Sequence, residues 1–153
     1  MSSSKQDIVM KSGSSKRKDV KKRKLPSLKS LRNKLDQVFS AWIRKRDANE
    51  NGMGRCITCN RWALLECGHF IPRQHKATRW NPLNAAGQCS YCNRWQHGAQ
   101  GEFLMALTRK YDQVIVSELM RIGKTTAHFK RNDLSAMIET YSKPPPTDQA
   151  LSK

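Results

Sequence analysis

The sequence predicts an α+β fold, in which a small zinc-stabilised core of two strands and a helix is flanked by longer helices. Two Cys-x-x-Cys pairs bracket a segment rich in apolar and aromatic residues, which indicates strands held by a metal ion. Apolar residues recur every three or four positions on both sides of this segment, which indicates helices. With 153 residues and 37% apolar content, the chain has core material for one folded unit.

The two cysteine pairs, Cys56/Cys59 and Cys89/Cys92, have the spacing of zinc knuckles. Each pair presents two sulfur atoms to a tetrahedral ion, and two pairs complete the coordination sphere without leaving a position for water. The predicted zinc ion is therefore structural. The fifth cysteine, Cys67, is expected to be a packing residue of a strand. Paired thiols of this kind indicate metal ligation in a reducing compartment rather than disulfides.

The chain carries a net charge of +17, from 29 Lys or Arg and 12 Asp or Glu. Such a charge favours a polyanionic partner, either nucleic acid or an anionic membrane surface. No apolar run reaches the roughly 18 to 20 residues of a membrane span, and the N-terminus lacks the apolar core of a secretion signal. We therefore expect a soluble, cytoplasmic protein.

The sequence divides into a basic disordered arm (1–24), an amphipathic helix (25–50), a zinc-bound module (51–100), a helical scaffold (101–143) and a tail (144–153).

The arm, residues 1–24, holds nine Lys or Arg against two Asp and almost no large side chains. Such a segment cannot bury enough surface to offset its ordering entropy, so it is expected to be disordered. Two interpretations remain open. The arm is either an electrostatic tether for phosphates, which would make affinity for nucleic acid fall with salt, or a solubilising tail.

The helical regions have recognisable start and stop signals. The first helix is predicted from an N-cap at Ser27 to about Arg46, and its apolar stripe is either core or a dimer seam. Two further helical runs follow the zinc module, with an interruption near Asp112 and a stop at Gly123. Asn132 is predicted to cap a last helix, which ends before three consecutive prolines.

Between the cysteine pairs, the sequence predicts a strand over 62–71, a polar loop over 74–82 and a short return strand over 83–86. A helix is predicted to start directly after the last cysteine. Trp80 and Trp95 are interpreted as packing residues around zinc, and stacking on the unpaired bases of a DNA junction is the alternative. The module is thus expected to consist of strand, loop, strand and helix, held at both ends by one ion.

The motifs of this module resemble those of a known family. Cys-x-x-Cys, then Gly-His-x-x-Pro, then an Asn five residues before Cys-x-x-Cys-Asn, is similar to the HNH nucleases, whose ββα-metal, treble-clef-like fold carries a catalytic His and one divalent ion. Over about residues 53–102, the fuller pattern with CGHFIPR, TRW and QCSYCNR resembles the lambdoid phage NinG recombination proteins, also called Rap. This resemblance implies a structure-specific DNA endonuclease that acts on Holliday junctions and D-loops in the bacterial host cytoplasm.

The resemblance also implies roles for individual residues. His69 matches the general base that activates a water molecule, and Asn84 matches the residue that braces the loop or orients the imidazole. Asn93, directly after the last cysteine, would offer its carbonyl oxygen to a catalytic Mg²⁺ or Mn²⁺, a hard cation that prefers oxygen ligands. The chemistry supports these roles, because phosphodiester hydrolysis needs an activated water and a cation that neutralises the leaving oxygen.

Gly68 departs from the family pattern, because many HNH nucleases have a metal-binding Asp or His directly before the catalytic histidine. Glu66 is the only carboxylate between residues 51 and 101, and strand alternation places it on the same face as Gly68, opposite His69. Because Gly68 has no side chain, Glu66 is expected to reach across it toward the ion. His97 is the alternative ligand.

Basic residues are predicted to surround the site. Arg73, Lys76, Arg79 and Arg94 are expected to bind DNA phosphates, with Arg73 and Arg79 in bidentate contacts. Symmetrical cutting of two strands argues for a homodimer. The missing ligand at Gly68 keeps a second class of function open, namely a non-catalytic zinc module that binds branched DNA or structured RNA.

Overall fold

The computed structural model describes residues 25–146, which form a three-stranded antiparallel sheet with helices on both faces. The predicted arm and the tail beyond Pro146 lie outside the described residues. The mixed α+β class agrees with the prediction. The elements are α1 (Leu28–Asp47), β1 (Met53–Arg55), β2 (Trp62–His69), β3 (Ala85–Cys89), α2 (Gln100–Tyr111), α3 (Gln113–Gly123) and α4 (Arg131–Ser142).

Helix α1 is capped as predicted and buries one apolar stripe. Ser27 Oγ accepts a hydrogen bond of 3.1 Å from the Ser30 amide, which satisfies one of the free N–H groups of the first turn. The stripe packs against the sheet and against α4, so it is core rather than a dimer seam. Its fully buried members are Leu31, Leu35, Phe39 and Ile43.

Strand β2 lies at the centre of the sheet and pairs with both neighbours in antiparallel register. Strand β1 was not predicted from the sequence, because the Asn and Gly content of residues 47–54 is typical of a loop. The end of this segment pairs with residues 62–64 of β2. A Cβ atom on Gly54 would lie 2.5 Å from the Asp47 carbonyl oxygen, so glycine lets the strand pass close to the end of α1.

The return strand begins two residues later than predicted. Pro82–Asn84 form a 3-10 turn, which Asn81 caps by accepting a 2.9 Å hydrogen bond from the Leu83 amide. Strand β3 follows and pairs with residues 65–69 of β2. Its last residue is the first cysteine of the second pair, so the sheet leads directly into the metal cluster.

Side-chain alternation along the β2–β3 pair gives the sheet two different faces. The face with Cys67, His69 and Ala85 packs against α1, and we call it the α1 face. The opposite face, with Gly68 and Ala86, packs against α2 and α3, and we call it the α2 face. Each face buries its own apolar cluster, so the sheet lies between two small cores.

The helix predicted after the last cysteine is a single π-helical turn, Tyr91–Trp95. His97 and Ala99 have positive φ angles, and they separate this turn from α2. Trp80 is buried, as a packing residue should be, but it packs in the cluster of α1 and α4 rather than around the cysteine pairs. Trp95 is 76% exposed, so the same interpretation of Trp95 is wrong. Trp95 is exposed because the π-helical turn faces outward, and no local sequence pattern indicates this.

Helices α2 and α3 are separated at Asp112, as predicted, because this residue has a φ of 77° and its side chain caps α3. Helix α3 ends at Gly123. Helix α4 starts two residues earlier than predicted, because Lys130 rather than Asn132 is the N-cap. The Asp133 carboxylate accepts a 2.7 Å hydrogen bond from the Lys130 amide. No helix of the described part of the chain is long and apolar enough to cross a bilayer.

Candidate metal centre and active site

Four cysteines from two separate turns come together at one end of the sheet. The Sγ atoms of Cys56, Cys59, Cys89 and Cys92 all lie within 4.8 Å of one another. A tetrahedral zinc site with bonds of about 2.3 Å separates its sulfur atoms by about 3.8 Å. The Sγ atoms of Cys59 and Cys89 are 3.8 Å apart, which matches that edge length. This four-cysteine cluster can therefore hold a metal ion such as zinc.

Backbone hydrogen bonds hold the two cysteine turns against the sheet. The Asn60 amide donates to the Cys56 carbonyl at 2.9 Å and closes the first turn, and Asn60 takes a positive φ there. The Ile57 amide donates to the Gly87 carbonyl at 2.9 Å, which ties this turn to β3. The second pair begins on the last residue of β3 and ends in the π-helical turn. The sheet therefore sets the distance between the two pairs.

The thiols of the cluster affect one another's ionisation. Burial and the neighbouring thiols raise the pKa of Cys92 to about 12, and burial also raises the pKa of Cys89. Burial acts to raise the pKa of Cys56 as well, but hydrogen bonds from the Cys59 backbone and from Thr58 outweigh it and lower this pKa to about 6. A bound cation supplies the positive charge that lets all four thiols ionise together.

Cys67 is a different kind of thiol. It lies on the α1 face and packs against the apolar cluster of α1. Burial raises its pKa to about 12, so it is a poor metal ligand and a poor nucleophile. It is not a member of the four-cysteine cluster. Its position agrees with its interpretation as a packing residue.

His69 is the last residue of β2, and its half-buried ring lies beside Phe39 of α1. Its Nε2 atom is 3.0 Å from the backbone carbonyl oxygen of Arg79. A carbonyl oxygen only accepts, so the contact requires the hydrogen on Nε2 and leaves Nδ1 with the lone pair in the neutral ring. Burial lowers the pKa of His69 to about 4, so the ring is neutral at neutral pH. A neutral imidazole with an oriented lone pair is the form that a general base requires.

Asn84 is fully buried and braces the loop that follows β2. Its Oδ1 accepts from the Ile71 amide at 2.7 Å. Its Nδ2 donates to the Ile71 carbonyl at 2.9 Å and to the Thr78 carbonyl at 3.1 Å. All three hydrogen bonds go to the loop whose far end provides the Arg79 carbonyl. Among the described residues, Asn84 makes its side-chain hydrogen bonds to this loop and none to His69.

Glu66, Asn93 and Arg94 meet on the α2 face. Asn93 Nδ2 donates to Glu66 Oε2 at 2.7 Å, and the Arg94 guanidinium contacts the same carboxylate at 2.6 Å. Burial acts to raise the pKa of Glu66, but hydrogen bonds from Arg94 and Asn93 outweigh it and lower this pKa. The carboxylate is therefore ionised at neutral pH, and it lies directly beside the amide of Asn93.

The space above Gly68 is occupied. A Cβ atom built on Gly68 would overlap the side-chain oxygen of Gln88, a fully buried residue of β3. Gln88 therefore fills the space above Gly68 across which Glu66 was expected to reach. Glu66 turns toward Asn93 instead. Sequence reasoning missed Gln88, since only the register of β3 on β2 brings it to this position.

The predicted site residues form two groups rather than one. His69 lies on the α1 face, whereas Glu66 and Asn93 lie on the α2 face. Within the described residues, no side-chain hydrogen bond joins His69 to either of them. His97, the alternative cation ligand, lies in the exposed turn before α2 and also makes no side-chain hydrogen bond to these residues.

The four predicted DNA-binding residues differ in how available their charges are. Arg79 Nε donates to Asp36 Oδ1 at 2.9 Å and also pairs with the other oxygen of this carboxylate, so α1 holds its guanidinium. A bidentate phosphate contact by Arg79 would compete with this partner. Arg94 is exposed, although it is paired with the carboxylate on the α2 face. Arg73 and Lys76 are exposed in the loop.

An exposed aromatic surface lies beside the four-cysteine cluster, and sequence reasoning identified only part of it. Trp62 and Tyr91 are each about half exposed, at 54% and 49%. The guanidinium groups of Arg55 and Arg61 lie over these two rings, at 5.8 and 5.6 Å from the ring centroids. Trp95, in the same turn as Tyr91, is also exposed. Side-chain alternation along β2 could have indicated the exposure of Trp62, since it turns this residue outward.

The fold and the site together define a small α+β protein with a four-cysteine cluster that can hold a metal ion, beside a sheet that ends in a half-buried histidine. The family model described as Bacteriophage Lambda NinG protein matches residues 3–145, which is most of the chain. The chain belongs to this family, so the resemblance inferred from the cysteine and histidine motifs is confirmed at that level. No curated protein and no solved structure matches the chain.

Cysteine substitutions test the metal centre. We expect Cys89→Ala to lose the bound zinc and several kcal/mol of unfolding free energy, about 3 or more, because metal binding stabilises only the folded chain. Cys67→Ala is the matched control, since Cys67 is a partly buried thiol of the same sheet that lies outside the cluster. Zinc per chain, measured by mass spectrometry, should stay at its native value in this control. Loss of zinc in Cys67→Ala with retention in Cys89→Ala would contradict the assignment.

The lowered pKa of His69 predicts a pH dependence of stability. The unfolded chain takes up a proton at this residue below about pH 6.5, whereas the folded chain does so only near pH 4. The free energy of unfolding should therefore fall as the pH falls through this window. Between about pH 7 and about pH 5.5, the free energy of unfolding should fall by about 1 kcal/mol more in the native protein than in His69→Gln, as measured by chemical denaturation at each pH. Equal losses in the two proteins would show that the ring is not shielded from protonation.

Proposed function

We propose that this protein is a Mg²⁺- or Mn²⁺-dependent endonuclease with an HNH-like ββα-metal core, which cuts branched DNA such as Holliday junctions and D-loops during phage recombination. One observation carries the proposal. The Nε2–H of His69 is held by the Arg79 carbonyl, and Nδ1 has no hydrogen-bond partner among residues 25–146, so its lone pair could accept a proton from water. The low pKa of His69 keeps this lone pair available at neutral pH. Zinc in the four-cysteine cluster would be structural, since four thiolates leave no position for water.

In the proposed reaction, His69 Nδ1 takes a proton from the attacking water while Nε2 keeps its hydrogen on the Arg79 carbonyl. Asn84 holds the loop that carries this carbonyl, so the ring keeps one orientation. Glu66 and Asn93 would hold the divalent cation, which neutralises charge on the leaving oxygen. The Asn93 amide would turn its oxygen toward the cation. Because base and ligands lie on opposite faces of β2, the scissile phosphate would lie across the end of this strand.

Branched DNA is the proposed substrate because exposed basic and aromatic side chains lie near the site. Arg73, Lys76 and Arg94 would bind phosphates, and the net charge of +17 supports a polyanionic partner. The exposed ring of Trp95 would stack on a base that is unpaired at a junction. Cutting two strands symmetrically requires two active sites, so we also propose a homodimer that acts in the host cytoplasm.

A non-catalytic module that binds branched DNA or structured RNA is the second candidate. One observation favours it. The Glu66 carboxylate already has two partners, Arg94 at 2.6 Å and Asn93 at 2.7 Å, so a cation would have to displace one of them. Under this candidate, the zinc module would present the aromatic surface to nucleic acid, and His69 would only fill space beside α1.

The His69→Ala variant distinguishes the two candidates. His75→Ala is the matched control, because His75 is exposed in the adjoining loop. On a four-way DNA junction with Mg²⁺, we expect single-turnover cleavage to fall by about a thousandfold in His69→Ala, as for loss of a general base. His75→Ala should cut at the native rate, and both variants should keep native zinc content and junction affinity. The binding candidate replaces the nuclease if native protein cuts with neither Mg²⁺ nor Mn²⁺, or if His69→Ala cuts as fast as native protein.

A further inference from the structure

Gln88 has an acceptor atom without a partner in the protein interior. The residue is fully buried. Its Nε2 donates to Thr58 Oγ1 at 3.5 Å and to the Gly98 carbonyl at 2.9 Å. Because that carbonyl only accepts, the amide has one allowed orientation and Oε1 must point away from Gly98. Oε1 has no hydrogen-bond partner among the described residues. A buried acceptor of this kind is costly unless a water or an ion satisfies it.

The Gln88 oxygen lies where a side chain of residue 68 would be. A Cβ atom on Gly68 would overlap Oε1 and would also approach the two carbon atoms behind it. Glycine at this position therefore leaves room for the Gln88 amide. Gly68 directly precedes His69 in β2, and alternation places the unpartnered oxygen on the sheet face opposite the ring of the proposed base.

Two other oxygen-bearing side chains lie on the same face. Glu66 and Gln88 are direct partners in the β2–β3 register, and such partners have Cβ atoms about 5 Å apart. Asn93 contacts Glu66 at 2.7 Å. Three side chains with oxygen ligands thus come from adjoining positions of the α2 face, and one of them is buried with its acceptor unused.

We propose that Gln88 Oε1 ligates a divalent cation together with the Glu66 carboxylate and the Asn93 side-chain oxygen, and that Gly68 is small to allow this. The inference rests on the function proposed above, because it concerns the same site. Carboxylate and amide oxygens are ligands that Mg²⁺ and Mn²⁺ accept, and the remaining positions are filled by water or phosphate. With a single carboxylate among three ligands, the site is weak in the absence of DNA.

The experiment measures Mn²⁺ binding to the zinc-loaded full chain without DNA, from the electron paramagnetic resonance signal of the free aqueous ion. Gln88→Leu removes both the oxygen and the amide donor. Gln88→Glu keeps an oxygen at this position, removes the amide donor to Gly98 and Thr58, and adds a negative charge. Gln96→Leu is the matched control, because Gln96 is an exposed glutamine of the neighbouring turn. Zinc content establishes that each variant is folded.

We expect Mn²⁺ affinity to fall about tenfold in Gln88→Leu, in line with the loss of a group that supports a metal site. Affinity should be equal or higher in Gln88→Glu and unchanged in Gln96→Leu. A purely structural role through Gly98 would weaken both Gln88 variants alike, and that result would overturn the inference. Native affinity in Gln88→Leu, or no binding by native protein, would also overturn it. If Gln88→Leu loses its zinc, the Mn²⁺ affinity of Gln88→Glu is the deciding measurement. A lower affinity in Gln88→Glu than in native protein would then contradict a ligand role for Gln88.

The Mn²⁺-binding measurement and the junction-cleavage measurement can give different answers. A native protein that binds Mn²⁺ through Gln88 but leaves junctions uncut would contradict the proposed function and support this inference. A protein that cuts junctions while Gln88→Leu binds Mn²⁺ normally would contradict only this inference.

Discussion

The four-cysteine cluster is the constraint on which the rest of this small protein depends. Cys59 and Cys89 are 30 positions apart in the chain, and their sulfur atoms lie 3.8 Å apart at one end of the sheet. An ion at this point joins the turn before β2 to the end of β3. The apolar residues are divided between two cores on opposite faces of the sheet, so neither core is large. A metal ion bound by the cluster would contribute folding free energy that cores of this size do not supply. It would also fix Asn93, which directly follows the last cysteine.

A second constraint acts on the loop between β2 and β3. Asp36 of α1 accepts hydrogen bonds from Arg79 at 2.9 Å and from the Trp80 indole at 2.8 Å. Asn84 holds the same loop from the other side. Together these two side chains determine where the Arg79 carbonyl lies, and this carbonyl selects the tautomer of His69. A loop on the surface thereby gains the rigidity that a positioned base requires.

The features that the sequence predicted are those encoded by nearby residues. The cysteine spacing, the apolar stripe of α1 and the interruption at Asp112 each depend on positions within one or two turns of one another. The features that it missed depend on residues far apart in the chain. Asp36 meets Arg79 across 43 positions, and Gln88 covers Gly68 only because of the strand register. Trp95 has a large apolar side chain of the kind that usually packs in a core, and only the π-helical turn places it in solvent. The unexpected contacts are therefore tertiary ones, and they concentrate around the candidate site.

The central claim is that one ion, bound by sulfur from both cysteine pairs, organises the sheet and the site. X-ray absorption at the zinc edge of the purified full chain tests it most directly. The claim predicts a single shell of four sulfur atoms at about 2.3 Å and no nitrogen or oxygen ligand. A nitrogen or oxygen shell at about 2.0 to 2.1 Å would contradict it, because it would mean that a histidine, a carboxylate or water completes the coordination.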